Sequence, residues 1–352
     1  MDTNFIQQDT VVQEEADWYD ARELALYGLI PDSELLGRRL PKEILEAVND
    51  RVITYSAYSA GGRLRFSTDS PFLALEVRYG PGHVPTVNNH CVSYGFDLYR
   101  CDGEVEEFEA AARPVDGFDY KSSTFKMITH SNGRLTPYTL NFPAFSGLAD
   151  LRIGIEKGCA ITAGKPYRNE KPVVFYGSSI THGAAAGRPG NTYESFISQK
   201  YNLDYINLGF AGGARGEQTI ARYIAELSMS VFVCDYDFNA PTVEHLKDTH
   251  FAFYETIRQK QPYTPYIMIS KPTFFRDPEL NGKRRQVIRD SFEKAKALGD
   301  DRVYFIDGET LFEGEFARAC TSDGSHPNDL GFFRMAQKIG PVVDQACKLL
   351  GF

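Results

Sequence analysis

The chain has 352 residues, of which 42% are hydrophobic and 24% charged, enough for two globular domains with sizeable cores and unlike a disordered chain. Its 38 Lys plus Arg stand against 47 Asp plus Glu, and a formal charge of -9 repels a phosphate backbone, so nucleic acid is excluded as an expected partner. The start, MDTNFIQQDTVVQEEADWYD, lacks the basic and apolar parts of a secretory leader, and no stretch reaches the roughly 20 apolar residues that span a bilayer; a cytoplasmic protein with no membrane partner is expected.

Residues 1–168 carry short runs with period-two apolar alternation: GRLRFSTDS, FLALEVRYG, YGFDLYRCDG, LTPYTLNFP and LADLRIGIEKG. Turn pairs such as Pro81-Gly82, Asp102-Gly103 and Asn132-Gly133 punctuate them, which predicts an antiparallel β-sandwich, jelly-roll-like, as the N-terminal domain. One amphipathic stretch, Pro41 to Asn49, predicts a short helix. The charged, Gly- and Pro-containing segment Gly164 to Pro172 reads as the linker.

Residues 169–352 change rhythm. Apolar runs PVVFY, DYINL, SVFVCDY, PYIMIS and RVYFID alternate with helix-length segments, so a five-stranded parallel sheet covered by helices on both faces is predicted, an α/β domain of three α/β/α layers. The six cysteines form no C-x-x-C pair, and neither a disulfide framework nor a cysteine metal site is expected.

An open parallel sheet binds ligands beyond the carboxyl ends of its strands, so the loops there carry the candidate chemistry. After the first strand, Gly177-Ser178-Ser179-Ile180-Thr181-His182-Gly183 lifts a serine to a strand–helix junction, although Thr181 breaks the G-x-S-x-G elbow and a simple helix cap fits as well. After the second, the glycines of NLGFAGGARGE let a backbone N–H approach a ligand, with Gly212 as a candidate donor. After the third, Asn239 precedes Pro241 and is either an amide donor or a helix cap. Near the C-terminus Asp323 and His326 stand three apart, a spacing that lets the carboxylate fix the imidazole tautomer and leave Nε2 as a base, with a purely structural turn as the alternative. His182 and Asp237 are the candidate substrate-binding residues, with lining or packing the pocket the favoured role for His182. His245 and His250 are five apart, the wrong spacing for a helical zinc pair, and no metal or cofactor is expected.

Ser179, Gly212, Asn239 and His326, in that order and context, resemble the SGNH, or GDSL-like, hydrolase superfamily, and YGFDLYR (Tyr94 to Arg100) with RPGNTY (Arg188 to Tyr193) resembles the subfamily with an N-terminal G-x-D-L-Y β-sandwich. The resemblance implies a flavodoxin-like catalytic domain and a serine esterase. Asp323 would orient His326, His326 would deprotonate Ser179, and Ser179, Gly212 and Asn239 would form the oxyanion hole. Ser178 departs from the aspartate of the family's name, and DFNAP from its usual G-x-N-D. The expected partner is a small acyl ester, an acetylated carbohydrate above all, and a second copy of the chain is left open. The alternatives are an acyltransferase built on the same acyl-enzyme and a non-catalytic carbohydrate-binding protein.

Overall fold

A computed structural model of the chain describes residues 15–115, 117–272 and 274–351; the stretch 1–14 read above lies outside the described residues. The chain folds as two units. The first holds the described residues up to Arg39, Ala57–Tyr167 and Gly187–Gly190; the second holds Leu40–Ser56, Arg168–Ala186 and the described residues from Asn191 onward. Two short segments therefore depart from a single cut near residue 168.

In the first unit, strands β1 (Ala16–Asp20), β2 (Ala25–Tyr27), β3 (Arg63–Thr68), β4 (Phe72–Gly82), β5 (Phe96–Arg100), β6 (Glu107–Ala112), β7 (Ser122–Ile128), β8 (Thr136–Asn141), β9 (Ser146–Glu156) and β10 (Ile161–Ala163) form two antiparallel sheets. Their orders are β1-β9-β4-β7 and β10-β3-β8-β5-β6, with β2 on β3. Alternation explains the core: Leu73, Leu75 and Val77 of β4 sit opposite Ile155, Ile153 and Leu151 of β9, and all six are buried. Asp97 of β5 is fully buried rather than turned to solvent. Its Oδ2 accepts from the Gly190 N–H at 2.8 Å and faces Arg188 at 3.3 Å, while Oδ1 accepts from Asn141 at 3.1 Å. The G-x-D-L-Y signature is thus a structural tie to the Arg188–Gly190 loop.

In the second unit the stretch expected as one short helix, Pro41 to Asn49, is not a regular helix. Helical structure over Lys42–Ala47 is of the tight three-residue kind, and the regular helix α1 follows it at Asp50–Ser56, because Asn49 caps there: its Oδ1 accepts from the N–H groups of Arg51 and Val52. The short helix α2 (His90–Tyr94) belongs to the first unit.

Strands β11 (Val173–Gly177), β12 (Tyr205–Gly209), β13 (Val231–Asp235), β14 (Tyr266–Ile269) and β15 (Val303–Ile306) are parallel in the order β12-β11-β13-β14-β15, the flavodoxin-like arrangement. Between them run α3 (Ser179–His182), α4 (Tyr193–Tyr201), α5 (Gln218–Ala225), α6 (Val243–Lys260) and α7 (Pro278–Ala297), with α8 (Asp329–Lys348) last. Helix α4 packs with α8, and α5, α6 and α7 pack in succession, so helices cover both faces. The five apolar runs read from the sequence are these five strands. Order reverses at β11, where Gly177 pairs with Gly209 on one side and Asp235 on the other, so three loops leave the sheet at one level.

Candidate active site

The first of those loops turns directly into α3. Ser178 is the cap: its Oγ accepts from the Ile180 N–H at 3.2 Å and its own N–H donates to the Asp235 carbonyl at 3.1 Å. Ser179 is therefore spared capping. Its half-buried hydroxyl oxygen lies 2.9 Å from Nε2 of His326. The turn is tight enough that a Cβ on Gly177 would collide with the Thr181 side chain and the Asp235 carbonyl, and one on Gly209 with the backbone of Thr181 and His182. Only glycine fits at either place.

His326 is held by a compact turn closed by Thr321 and Pro327. The Asp323 Oδ1 accepts from the N–H groups of Ser325 and His326, each at 2.8 Å, and Oδ2 lies 2.8 Å from His326 Nδ1. Burial would raise the Asp323 pKa, but the His326 and Ser325 N–H groups and the imidazole outweigh it and hold the carboxyl below its ordinary range. Gly324 takes a left-handed conformation, φ 83°, and Arg276 donates across the turn to the Asp323 carbonyl at 3.1 Å and the Ser325 hydroxyl at 2.9 Å. No sequence pattern links Arg276 to this turn, 47 positions away.

The other two loops supply donors. Gly212, at φ 70°, occupies backbone space that favours glycine. Among the described residues, no protein group accepts the N–H of Gly212 or of Ser179. The Asn239 Nδ2 donates to the Phe210 carbonyl at 3.0 Å, and the amide has a second N–H to offer. Asn239 does not cap the next helix; Thr242 does, accepting from His245. The three loops thus present a hydroxyl, two uncommitted backbone N–H groups and an amide at one edge of the sheet.

Two candidate substrate contacts are buried. His182 is fully buried: its Nδ1 accepts from the Ala211 N–H at 3.4 Å and its ring meets Tyr55 edge-on at 4.9 Å, so it braces the second loop and offers a substrate no surface. Asp237 is buried as well, with Oδ2 accepting from the Lys271 N–H at 3.0 Å and its carboxyl pushed up to about 6 by burial. Both neighbour the site in sequence, and tertiary packing turns them inward, the packing role favoured for His182 from the sequence. His245 and His250 do different things: His245 Nε2 lies 2.8 Å from the Arg215 carbonyl, and burial pushes His250 down to about 4. Among the described residues no cluster suited to a metal ion occurs, and no helix is long and apolar enough to cross a membrane.

Comparison with solved structures finds a protein from Bacteroides ovatus described as a GDSL-like lipase, 25% identical over 95% of this chain and 98% of that one, with a TM-score of 0.84. A salicylyl-acyltransferase from a tetracycline biosynthetic pathway is 21% identical over 96% and 98% of the two chains, TM-score 0.72. An acetyl xylan esterase from the rumen bacterium Butyrivibrio proteoclasticus shares the fold at 14% identity over 96% and 99%, TM-score 0.54. No curated protein matches the chain. Residues 170–344 match the GDSL-like lipase/acylhydrolase family, and residues 16–161 match GxDLY, the N-terminus of SGNH-hydrolase-type esterases. With a parallel sheet carrying Ser179 and His326 at one edge and Asp97 set in its own strand, the chain belongs to the GDSL-like lipase/acylhydrolase family, in the form that bears a GxDLY domain at its N-terminus.

Proposed function

We propose that the protein is a serine esterase that removes short acyl groups, acetyl foremost, from carbohydrate hydroxyls. The observation that carries this reading is the continuous line from Asp323 Oδ2 through the His326 ring to Ser179 Oγ, with contacts of 2.8 and 2.9 Å. In the reaction, Ser179 Oγ attacks the ester carbonyl carbon as its proton passes to His326 Nε2. Negative charge gathers on the former carbonyl oxygen, where the N–H groups of Ser179 and Gly212 and the Asn239 amide receive it. Collapse breaks the bond to the alcohol oxygen, which leaves with the proton from His326. Water, deprotonated by the same imidazole, then attacks the acyl-enzyme and releases the acid and free Ser179.

The acyl and sugar specificity is the finer part of the proposal, supported by the acetyl xylan esterase among the structural relatives. Mass spectrometry of deacylation across a panel of acetylated oligosaccharides tests reaction and substrate together, with Ser179→Ala as the blank. Rates on p-nitrophenyl esters should fall steeply beyond about four carbons, since each methylene that the pocket cannot take up costs about 1–3 kcal/mol. Faster turnover of octanoate than of acetate overturns the short-acyl assignment.

The likeness to an acyltransferase supports a second reading, in which a hydroxylated acceptor replaces water in the last step. Product analysis with and without a candidate acceptor alcohol separates the two: an acylated acceptor formed at the expense of free acid marks transfer.

A further inference from the structure

Helix α1 comes from a segment that in sequence lies between β2 and β3 of the sandwich, yet it belongs to the second unit and packs against the loops at the carboxyl edge of the parallel sheet. Tyr55 meets the His182 ring edge-on at 4.9 Å, beside the nucleophile turn. The Arg51 side chain lies so close to Gly212 that a Cβ there would be 3.1 Å from its Cδ, and a Cβ on Gly213 would be 3.2 Å from the Val52 N–H nitrogen. At the head of this helix stands Asn49, which does two things at once. Its Oδ1 caps the helix, accepting from Arg51 and Val52, and its Nδ2 donates to the Gly213 carbonyl at 2.8 Å and to Glu217 Oε1. The second oxygen of Glu217 accepts from the Arg215 N–H at 3.1 Å and from the Tyr176 hydroxyl at 3.3 Å. The chain following Gly212 is therefore held at two points, the Gly213 carbonyl by Asn49 directly and the Arg215 N–H by Glu217.

We propose that Asn49 is a positioning residue for the Gly212 N–H, and that the Asn49–Glu217 clasp sets how that N–H meets charge on the substrate oxygen. The inference rests on the assignment of Ser179, His326 and Gly212 above. A donor with no protein acceptor has no internal bond to fix its direction, so the aim of the Gly212 N–H depends on what holds its neighbours. Misplacement of a reacting partner by about 1 Å costs on the order of 10² in rate. The Asn49 amide is the side-chain group that reaches this loop from outside it at the Gly213 carbonyl.

The two jobs of Asn49 can be separated. Asn49→Ser keeps a good cap and loses the reach to Gly213 and Glu217. Asn49→Asp keeps the cap and sets a carboxylate against the carboxylate of Glu217, and adding Glu217→Gln restores a donor–acceptor pair with its polarity reversed. Expected for Asn49→Ser is a kcat about 10–10²-fold lower with KM changed less than about threefold, and a changed ratio of rates on an ester and its thionoester, which reports oxyanion geometry. Asn49→Asp should lose more than Asn49→Ser, and Asn49→Asp with Glu217→Gln should recover at least tenfold over Asn49→Asp. Circular dichroism at the assay temperature shows whether each variant is folded, and kcat is referred to sites titrated with a fluorophosphonate. Wild-type kcat and an unchanged ester-to-thionoester ratio in folded Asn49→Ser overturn the inference while leaving the esterase reading intact. Activity retained by Ser179→Ala overturns the esterase reading itself.

Discussion

Asp323 grips His326 by ring and main chain together: Oδ2 lies 2.8 Å from Nδ1 and Oδ1 accepts the His326 N–H at 2.8 Å. With Nδ1 committed as the donor, Nε2 is left to accept from Ser179, and, against burial, the His326 and Ser325 N–H groups hold the Asp323 carboxyl below its usual range, as an ionised partner for the ring. Asp323→Asn can turn its amide N–H toward Nδ1, which drives the ring proton to Nε2, where it faces the Ser179 proton. We expect kcat to fall by up to about 10⁴ with KM little changed. Steady-state kinetics on p-nitrophenyl acetate reads both, and a loss below about tenfold would show that the tautomer is set without Asp323.

Asn239 is tied by one amide N–H to the Phe210 carbonyl at 3.0 Å, which fixes the plane of the amide and leaves its other N–H aimed elsewhere. Asn239→Ala should remain folded, losing about 1 kcal/mol for the hydrogen bond, while kcat drops about 10²–10³-fold. Asn239→Asp, which offers an acceptor in place of a donor, should be at least as slow. A near wild-type kcat in folded Asn239→Ala would remove the amide from the reaction.

Much of this was legible in the sequence because the signals are local. Four strands of the parallel sheet are unbroken apolar runs ended by a polar or glycine residue, Asn207 alone interrupting β12, and the Asp323–His326 spacing is short enough to be a turn whatever surrounds it. Asn49-Asp50 is an N-terminal helix signature as well, and it could have placed α1 after residue 49 instead of before it. What no local pattern carries is the direction a side chain takes in three dimensions. His182 and Asp237 sit beside the site in sequence and are packed beneath it, and the tie from Asn49 to Gly213 spans 164 positions.

Gly209 ends β12 against the backbone of α3, so that a methyl group there would strike the His182 nitrogen and the Thr181 carbonyl carbon. Main chain cannot step aside as a side chain tip can. Gly209→Ala should cost about 1–3 kcal/mol of stability or more, and should also displace Ser179 from His326. Gly103→Ala is the control, since its methyl group would meet the Val105 carbonyl oxygen at an ordinary 3.4 Å and the Val105 nitrogen at 3.9 Å, and it should stay within about 0.5 kcal/mol. Urea unfolding midpoints compare the two, and equal midpoints would mean that the strand end yields more readily than its packing implies.

Glu194, in the first turn of α4, is fully buried, and its own N–H and the Thr192 and Tyr193 hydroxyls offset that burial only in part. Burial pushes its carboxyl up to about 8, and the group in turn helps raise Asp235, whose own burial and the neighbouring Asp237 act first. A carboxyl whose folded pKa exceeds its unfolded one binds more protons folded than unfolded across the interval between them. Its contribution is complete below the unfolded value near 4.5 and is lost as pH rises through about 8. Stability of the wild type should therefore decline across that window, by at most about 1.4 kcal/mol per pH unit for this one group. Glu194→Gln carries no titrating proton and should flatten the decline between pH 6 and 8, so that the variant gains on the wild type as pH rises. Urea unfolding at half-unit steps from pH 5 to 9 measures both slopes, and coincident slopes would show that Glu194 reaches solvent or a partner once the carboxyl ionises.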